Sequence, residues 1–112
     1  MKKTEMIKKN YEFKNFFSKG KRYCGKYISI YIFHNNLEIN KLGIAVGKKV
    51  TNSVGRHRIR RLIKENYILL ENKISCGKNI LIVWNKNVKS DDAEFYTIKE
   101  EMQGIFKKAG VM

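Results

Sequence analysis

Lys48-Lys49-Val50-Thr51-Asn52-Ser53-Val54-Gly55-Arg56-His57-Arg58-Ile59-Arg60-Arg61-Leu62-Ile63-Lys64 carries four of the chain's five arginines within six residues. It contains seven basic side chains and no acid. The nineteen lysines are spread along the whole chain, which a codon bias explains as readily as a function. Concentrated arginine is different, because the guanidinium is permanently charged, planar and suited to bidentate contact with phosphate oxygens. Thr51, Asn52 and Ser53 all suit a helix N-cap, and a helical pattern runs from Val54 to about Leu70. At about 100° per residue, Ile59, Leu62, Ile63 and Leu70 share one sector, with Tyr67 at its edge. His57, Arg60, Arg61 and Lys64 cluster on the opposite side, and Arg56 and Arg58 flank them near the helix start. Ile68 falls on the polar side and does not fit the stripe. Cations at a helix N-terminus oppose the macrodipole, so the arrangement costs stability while adding to anion attraction.

Working outward, Leu42-Gly43-Ile44-Ala45-Val46-Gly47 reads as a strand whose second face carries only Gly43, Ala45 and Gly47. A face so short of side chains admits the close approach of a ligand or another backbone. Tyr27 to Phe33 alternates, with Ile28, Ile30 and Ile32 on the face suited to a core. Asn79 to Trp84 is apolar on both faces, as an interior strand requires. Residues 8–18 read as a short helix, with Phe13, Phe16 and Phe17 at helical spacing and Gly20 as its stop. Asp91 to about Lys108 reads as a helix that begins with Asp91, Asp92 and Glu94 as dipole-favourable caps. Phe95, Ile98, Met102 and Ile105 or Phe106 form its core face, and Gly110 is its stop.

The chain has 112 residues, enough for one core and one domain, and no proline, repeat or low-complexity linker marks a boundary. At 43% hydrophobic it has the apolar content to fold despite a formal charge of +14. That charge points to a polyanionic partner reached by counterion release and long-range steering. Five of the ten acids lie between Asp91 and Glu101, so two faces of different potential are expected. Cys24 and Cys76 are isolated and read as reduced thiols of a cytoplasmic protein. No apolar run approaches the roughly 18 residues of a membrane span. His34 and His57 are too far apart in sequence to suggest a metal or acid–base site, and no catalytic constellation stands out.

The segments Lys48-Lys49-Val50, Asn52-Ser53-Val54 and Arg56 to Lys64 together resemble the signature of the bacterial ribonuclease P protein subunit. The N-terminal spacing of Lys9, Phe13, Phe17 and Gly20 is similar to that family's, as is a strand tyrosine at Tyr31. The departure is His57, where the family has Asn. An imidazole cannot copy the paired donor and acceptor of an amide. The resemblance implies an α+β, single-domain, two-layer α/β sandwich with a four-stranded mixed sheet and three helices, similar to one domain of ribosomal protein S5. It also implies that the protein performs no chemistry itself. The family's RNA partner is the ribozyme, which uses Mg²⁺ to hydrolyse one phosphodiester and release the 5′ leader of precursor tRNA. No cofactor is then expected on the protein alone, and the Mg²⁺ is held mainly by RNA.

On that resemblance, Lys48, Lys49, Asn52, Arg56, His57, Arg58, Arg60, Arg61 and Lys64 are the expected contacts to the catalytic RNA. Lys9, Phe13, Phe17 and Tyr31 are the expected leader cleft between the first helix and the sheet, with Phe16 left to the core. Each has a plainer reading beside it: a solvated basic face for the arginines, core packing for the phenylalanines, an ordinary N-cap for Asn52. Tyr31 lies on the strand face opposite the isoleucines, which favours the cleft. The competing functions are a free-standing structured-RNA binder and a protein-only nuclease or DNA-binding module. The nuclease lacks carboxylates in the basic region, and a helix-turn-helix reader lacks a second helix before the arginines. A membrane-surface role is disfavoured by the absence of interfacial Trp anchors on the basic helix.

Overall fold

The computed structural model describes residues 1–112. Its elements are β1 (Thr4–Met6), α1 (Asn10–Lys19), β2 (Lys21–Cys24), β3 (Ile28–His34), β4 (Asn40–Ala45), α2 (Ser53–Leu70), β5 (Lys78–Trp84) and α3 (Phe95–Lys108). Short 3-10 turns at Glu71–Lys73 and Ser90–Asp92 follow α2 and β5. The strands form one mixed five-stranded sheet in the order β1-β4-β5-β3-β2. β1 and β5 are parallel to β4, whereas β3 is antiparallel to β5 and β2 to β3.

The expected class holds with one more strand than the four anticipated. The three long strands follow from alternation or from an apolar run. β1 (Thr-Glu-Met) and β2 (Lys-Arg-Tyr-Cys) are too short and polar to show a period, and exist because a neighbouring edge pairs with them.

One sheet face carries Ile28, Ile30, Ile32, Leu42, Ile44, Val46, Ile80, Ile82 and Trp84. Against it pack Ile59, Ile63, Tyr67 and Leu70 of α2 and Ile98, Met102, Ile105 and Phe106 of α3. Burying each such side chain stabilises by about 1.5–3 kcal/mol, which makes this helical layer the source of most of the fold's stability. Ile68 is exposed, as its position off the stripe requires. Buried Asn66 ties the two helices together by donating to the carbonyls of Leu62 (3.0 Å) and Phe95 (3.1 Å).

α1 crosses the other sheet face and covers only part of it. Phe16, 2% exposed, packs with Ile7 and Leu81 as a second small cluster. The crossing is close at Gly20, where a Cβ would stand 2.7 Å from the Phe16 carbonyl and 2.8 Å from the Tyr31 Cβ. Glycine therefore lets the end of α1 rest directly on β3.

The acids before α3 correct an expectation. Asp91 and Asp92 lie in the separate 3-10 turn, and the first turn of α3 holds no acid. Buried Ala93 is extended and breaks the helical path, leaving Glu94 as the N-cap residue. The Glu94 carboxylate accepts from the Thr97 hydroxyl at 2.7 Å and makes no cap to the backbone. At the other end Gly110 takes φ 75°, and Val111 N–H donates to Phe106 O, a Schellman closure.

Candidate nucleic-acid interface

α2 begins as expected: the Asn52 side chain accepts from Gly55 N–H at 2.9 Å, so its amide oxygen serves as the N-cap. The helix has no acid in its first turn and no base in its last. Its four arginines all lie in the half nearer the dipole's positive end, with Lys64 just past the middle. The four arginines, read from sequence as one docking group, are divided by the structure. Arg56 is half-buried and its guanidinium donates to Thr51 O (2.8 Å) and Lys48 O (3.4 Å), bracing the loop that follows β4. Arg58 donates to Ala93 O (2.8 Å) and Ser90 O (3.5 Å), tying α2 to the turn before α3. Arg60 and Arg61 point to solvent. Arg61 has only an exposed 3.9 Å contact with Glu65, of the kind worth roughly 0.3–0.5 kcal/mol. Lys48 and Lys49 are exposed in the loop, next to the backbone that Arg56 holds.

His57, Arg60, Arg61 and Lys64 form one stripe along α2 and line an open groove of about 330 Å³. The other wall is Met6, Ile7, Phe13 and Ile44. The basic stripe and the first aromatic of the expected cleft thus share one concavity, which sequence spacing alone does not reveal. β1 pairing stops at Met6–Leu42, and Ile7 N–H donates to Leu42 O at 2.9 Å. Beyond that point the β4 edge at Ile44 is open to the groove.

Farther along α1, Phe17 is 44% exposed and its ring lies 5.0 Å from that of Tyr31, inclined at 72°. Phe13 is half-buried beside the same small cluster. Phe16 instead turns inward, edge-on to Phe33 at 5.2 Å. Lys9 stands apart: it precedes α1, about 12 Å along the axis from Phe17, with its ammonium 5.8 Å from the Tyr11 ring. Beside α1 the sheet carries one row of mostly small side chains and one that includes Leu81, Tyr31 and Arg22. Cross-strand partners run Ala45–Val83–Ser29–Cys24, and beside them Gly43–Leu81–Tyr31–Arg22. A floor of this kind accepts flat groups, with two exposed or half-exposed rings beside it for stacking.

The wall formed by β1 is held by the far end of α2. Thr4 Oγ1 and Tyr67 OH are 2.7 Å apart, and the Glu71 carboxylate accepts from Lys2 N–H (3.2 Å) and Lys3 N–H (3.4 Å). Burial raises the Glu71 pKa, but hydrogen bonds from Thr4, Lys2 and Lys3 and the N-terminal ammonium outweigh it, leaving the carboxyl below its ordinary value. Burial pushes the Tyr67 hydroxyl up, so it stays neutral as a hydrogen-bonding group.

No three His, Cys, Asp or Glu side chains gather in a way that fits a metal ion. No helix is long and apolar enough to cross a membrane.

A family model described as Ribonuclease P matches residues 1–110. The ribonuclease P protein component of Alkaliphilus metalliredigens is 43% identical over 108 residues, covering 96% of both chains. That of Thermoanaerobacter sp. strain X514 is 38% identical over 106 residues, covering 95% of this chain and 90% of the relative. The solved structure of the Staphylococcus aureus RNase P protein superposes with a TM-score of 0.79 at 31% identity, over 95% of each chain. The Thermotoga maritima RNase P protein, at 22% identity, shares the fold with a TM-score of 0.82 over 93% of this chain and 96% of its own. By full-length sequence match and by fold, this chain belongs to the ribonuclease P protein family.

Proposed function

We propose that this protein docks on the ribonuclease P RNA through α2 and holds the 5′ leader of precursor tRNA against α1 and the open sheet face. The RNA carries the hydrolysis and the Mg²⁺, and the protein supplies positioning and charge. Cytoplasmic location belongs to the same reading. The observation that carries it is the shared groove, in which His57, Arg60, Arg61 and Lys64 face Phe13 at the start of the path to Phe17 and Tyr31. Guanidinium and ammonium groups bind phosphates without reading sequence, and aromatic rings stack on any base. The basic stripe suits the phosphates of the folded RNA, and the rings suit an unpaired strand whose sequence varies between substrates. In this role Lys48 and Lys49 add phosphate contacts from the loop that Arg56 braces, and Lys9 adds charge at the start of α1. His57 supplies a ring donor where the resemblance has an amide.

The test is reconstitution. The protein is mixed with a bacterial ribonuclease P RNA and a leader-bearing precursor tRNA at Mg²⁺ too low for the RNA alone, and leader release is followed. Stimulation that requires both protein and RNA is the expected result. Tight RNA binding without stimulation would favour a free-standing structured-RNA binder instead, and cleavage by the protein without RNA would overturn the assignment.

A further inference from the structure

Arg22, the one arginine outside the α2 cluster, sits where the open sheet face ends. It lies on β2, the outermost strand, directly opposite Tyr31 in the antiparallel register. Opposed residues of such a pair have Cβ atoms about 4.5–5.5 Å apart and project to the same face. Arg22 therefore rises beside the Tyr31 ring that meets Phe17. Its neighbours Lys21 and Tyr23 alternate to the other face, where the Lys21 ammonium lies 5.3 Å from the Tyr23 ring. Arg56 and Arg58 spend their guanidinium donors on backbone carbonyls, whereas Arg22 is exposed and makes no side-chain hydrogen bond or ion pair.

The strand under it is well anchored. The Glu101 carboxylate accepts from the N–H groups of Lys26 (3.0 Å), Tyr27 (2.8 Å) and Ile28 (2.7 Å). The Asn85 amide donates to Gly25 O (2.8 Å) and Lys26 O (3.1 Å). Both clamps fix the β2–β3 turn to the body of the protein, so Arg22 is carried on a positioned edge. Glu101 is spent on that turn and does not neutralise it.

We propose that Arg22 is a phosphate-binding site at the exit of the cleft. It takes a backbone phosphodiester next to the base stacked on Phe17 and Tyr31, so that the unpaired RNA strand crosses the sheet from β4 to β2 instead of ending over β3. The inference rests on the leader-cleft reading above and extends it by one contact. The ordinary role of a charged residue on an edge strand is to discourage strand-on-strand aggregation, and any charge serves that purpose. A phosphate site requires a cation, and a planar fork serves it better than an ammonium.

The test uses the reconstituted holoenzyme and a series of precursor tRNAs whose unpaired 5′ leaders lengthen one nucleotide at a time. The wild type should gain affinity with leader length up to a plateau. Arg22→Ala should reach its plateau at a shorter leader and bind the longest leaders about tenfold more weakly, with a salt slope smaller by roughly one. Arg22→Lys should recover part of the loss, and Arg22→Glu, which keeps an edge charge, should recover none. Phe17→Ala should lose affinity at shorter leaders than Arg22→Ala does. Arg22→Ala matching the wild type across the series, while Phe17→Ala remains leader-dependent, would overturn the exit site and leave the cleft standing. Leader-length independence in the wild type would remove the cleft itself, and Arg22 with it.

Discussion

α2 and α3 lie side by side in one helical layer and distribute charge by opposite rules. α3 ends in Lys107 and Lys108, where cations favour the helix dipole. α2 places its four arginines in its first half and its one lysine just past the middle, with no acid in the first turn. Both bury an equivalent apolar stripe against the same sheet face, so packing does not explain the difference. α3 is arranged for its own stability, whereas α2 gives up dipole complementarity to concentrate positive potential. The contrast sharpens within α2. Arg56 and Arg58 return part of that cost by satisfying carbonyls of adjoining loops, and Arg60 and Arg61 return almost none of it.

The strongest way to break this comparison is to neutralise the exposed pair. Arg60→Ala with Arg61→Ala should weaken binding to a bacterial ribonuclease P RNA by about 100-fold at moderate salt and lower the salt slope by roughly two, at unchanged thermal stability. Lys107→Ala with Lys108→Ala removes the same charge from α3 and should change RNA affinity by less than about threefold. Equal losses from the two pairs would reduce the α2 stripe to general electrostatics.

A smaller effect separates the arginines of α2 from one another. Arg56→Ala and Arg58→Ala should each lower unfolding stability by roughly 1–2 kcal/mol, as loss of charged hydrogen bonds at partly exposed sites does. Arg60→Ala should stay within about 0.5 kcal/mol of the wild type. Urea unfolding of the three single variants reads this directly, and identical midpoints would contradict the division of roles.

Much of this was legible in the sequence, for physical reasons that also mark its limits. Ile28, Ile30 and Ile32 alternate because one face of β3 is buried, and Ile59, Ile63, Tyr67 and Leu70 recur at helical spacing because one side of α2 is. Angular position also placed His57, Arg60, Arg61 and Lys64 together. It did not reveal that Arg56 and Arg58 reach Thr51 O and Ala93 O, because a helical wheel contains no information about neighbouring loops. β1 and β2 were not legible, since three or four residues carry no period. The acids at Asp91 and Asp92 looked like a helix start until buried Ala93 interrupted it. Arg22 gains meaning only from the β2–β3 register that sets it beside Tyr31.

The smallest effect concerns the clamp on the groove wall. The Glu71 carboxyl is depressed in the folded protein, so its stabilisation is present above the ordinary carboxylate pKa and is lost as pH falls through the lower folded value. The wild type should lose urea resistance on acidification from about pH 5 downward. Glu71→Gln should be less stable at neutral pH and show a flatter acid limb. Parallel pH curves for the two proteins would show that the carboxylate does not hold β1.

The most direct test of the account compares two affinities in two variants: that for the catalytic RNA, and the preference of the holoenzyme for leader-bearing over leaderless tRNA. The Arg60→Ala, Arg61→Ala double variant should lose the first. Phe17→Ala should keep the first and lose leader preference by about 1–3 kcal/mol, the worth of one stacked base. Indistinguishable effects of the two variants on both quantities would contradict a protein that docks through one wall of its groove and holds the leader along the other.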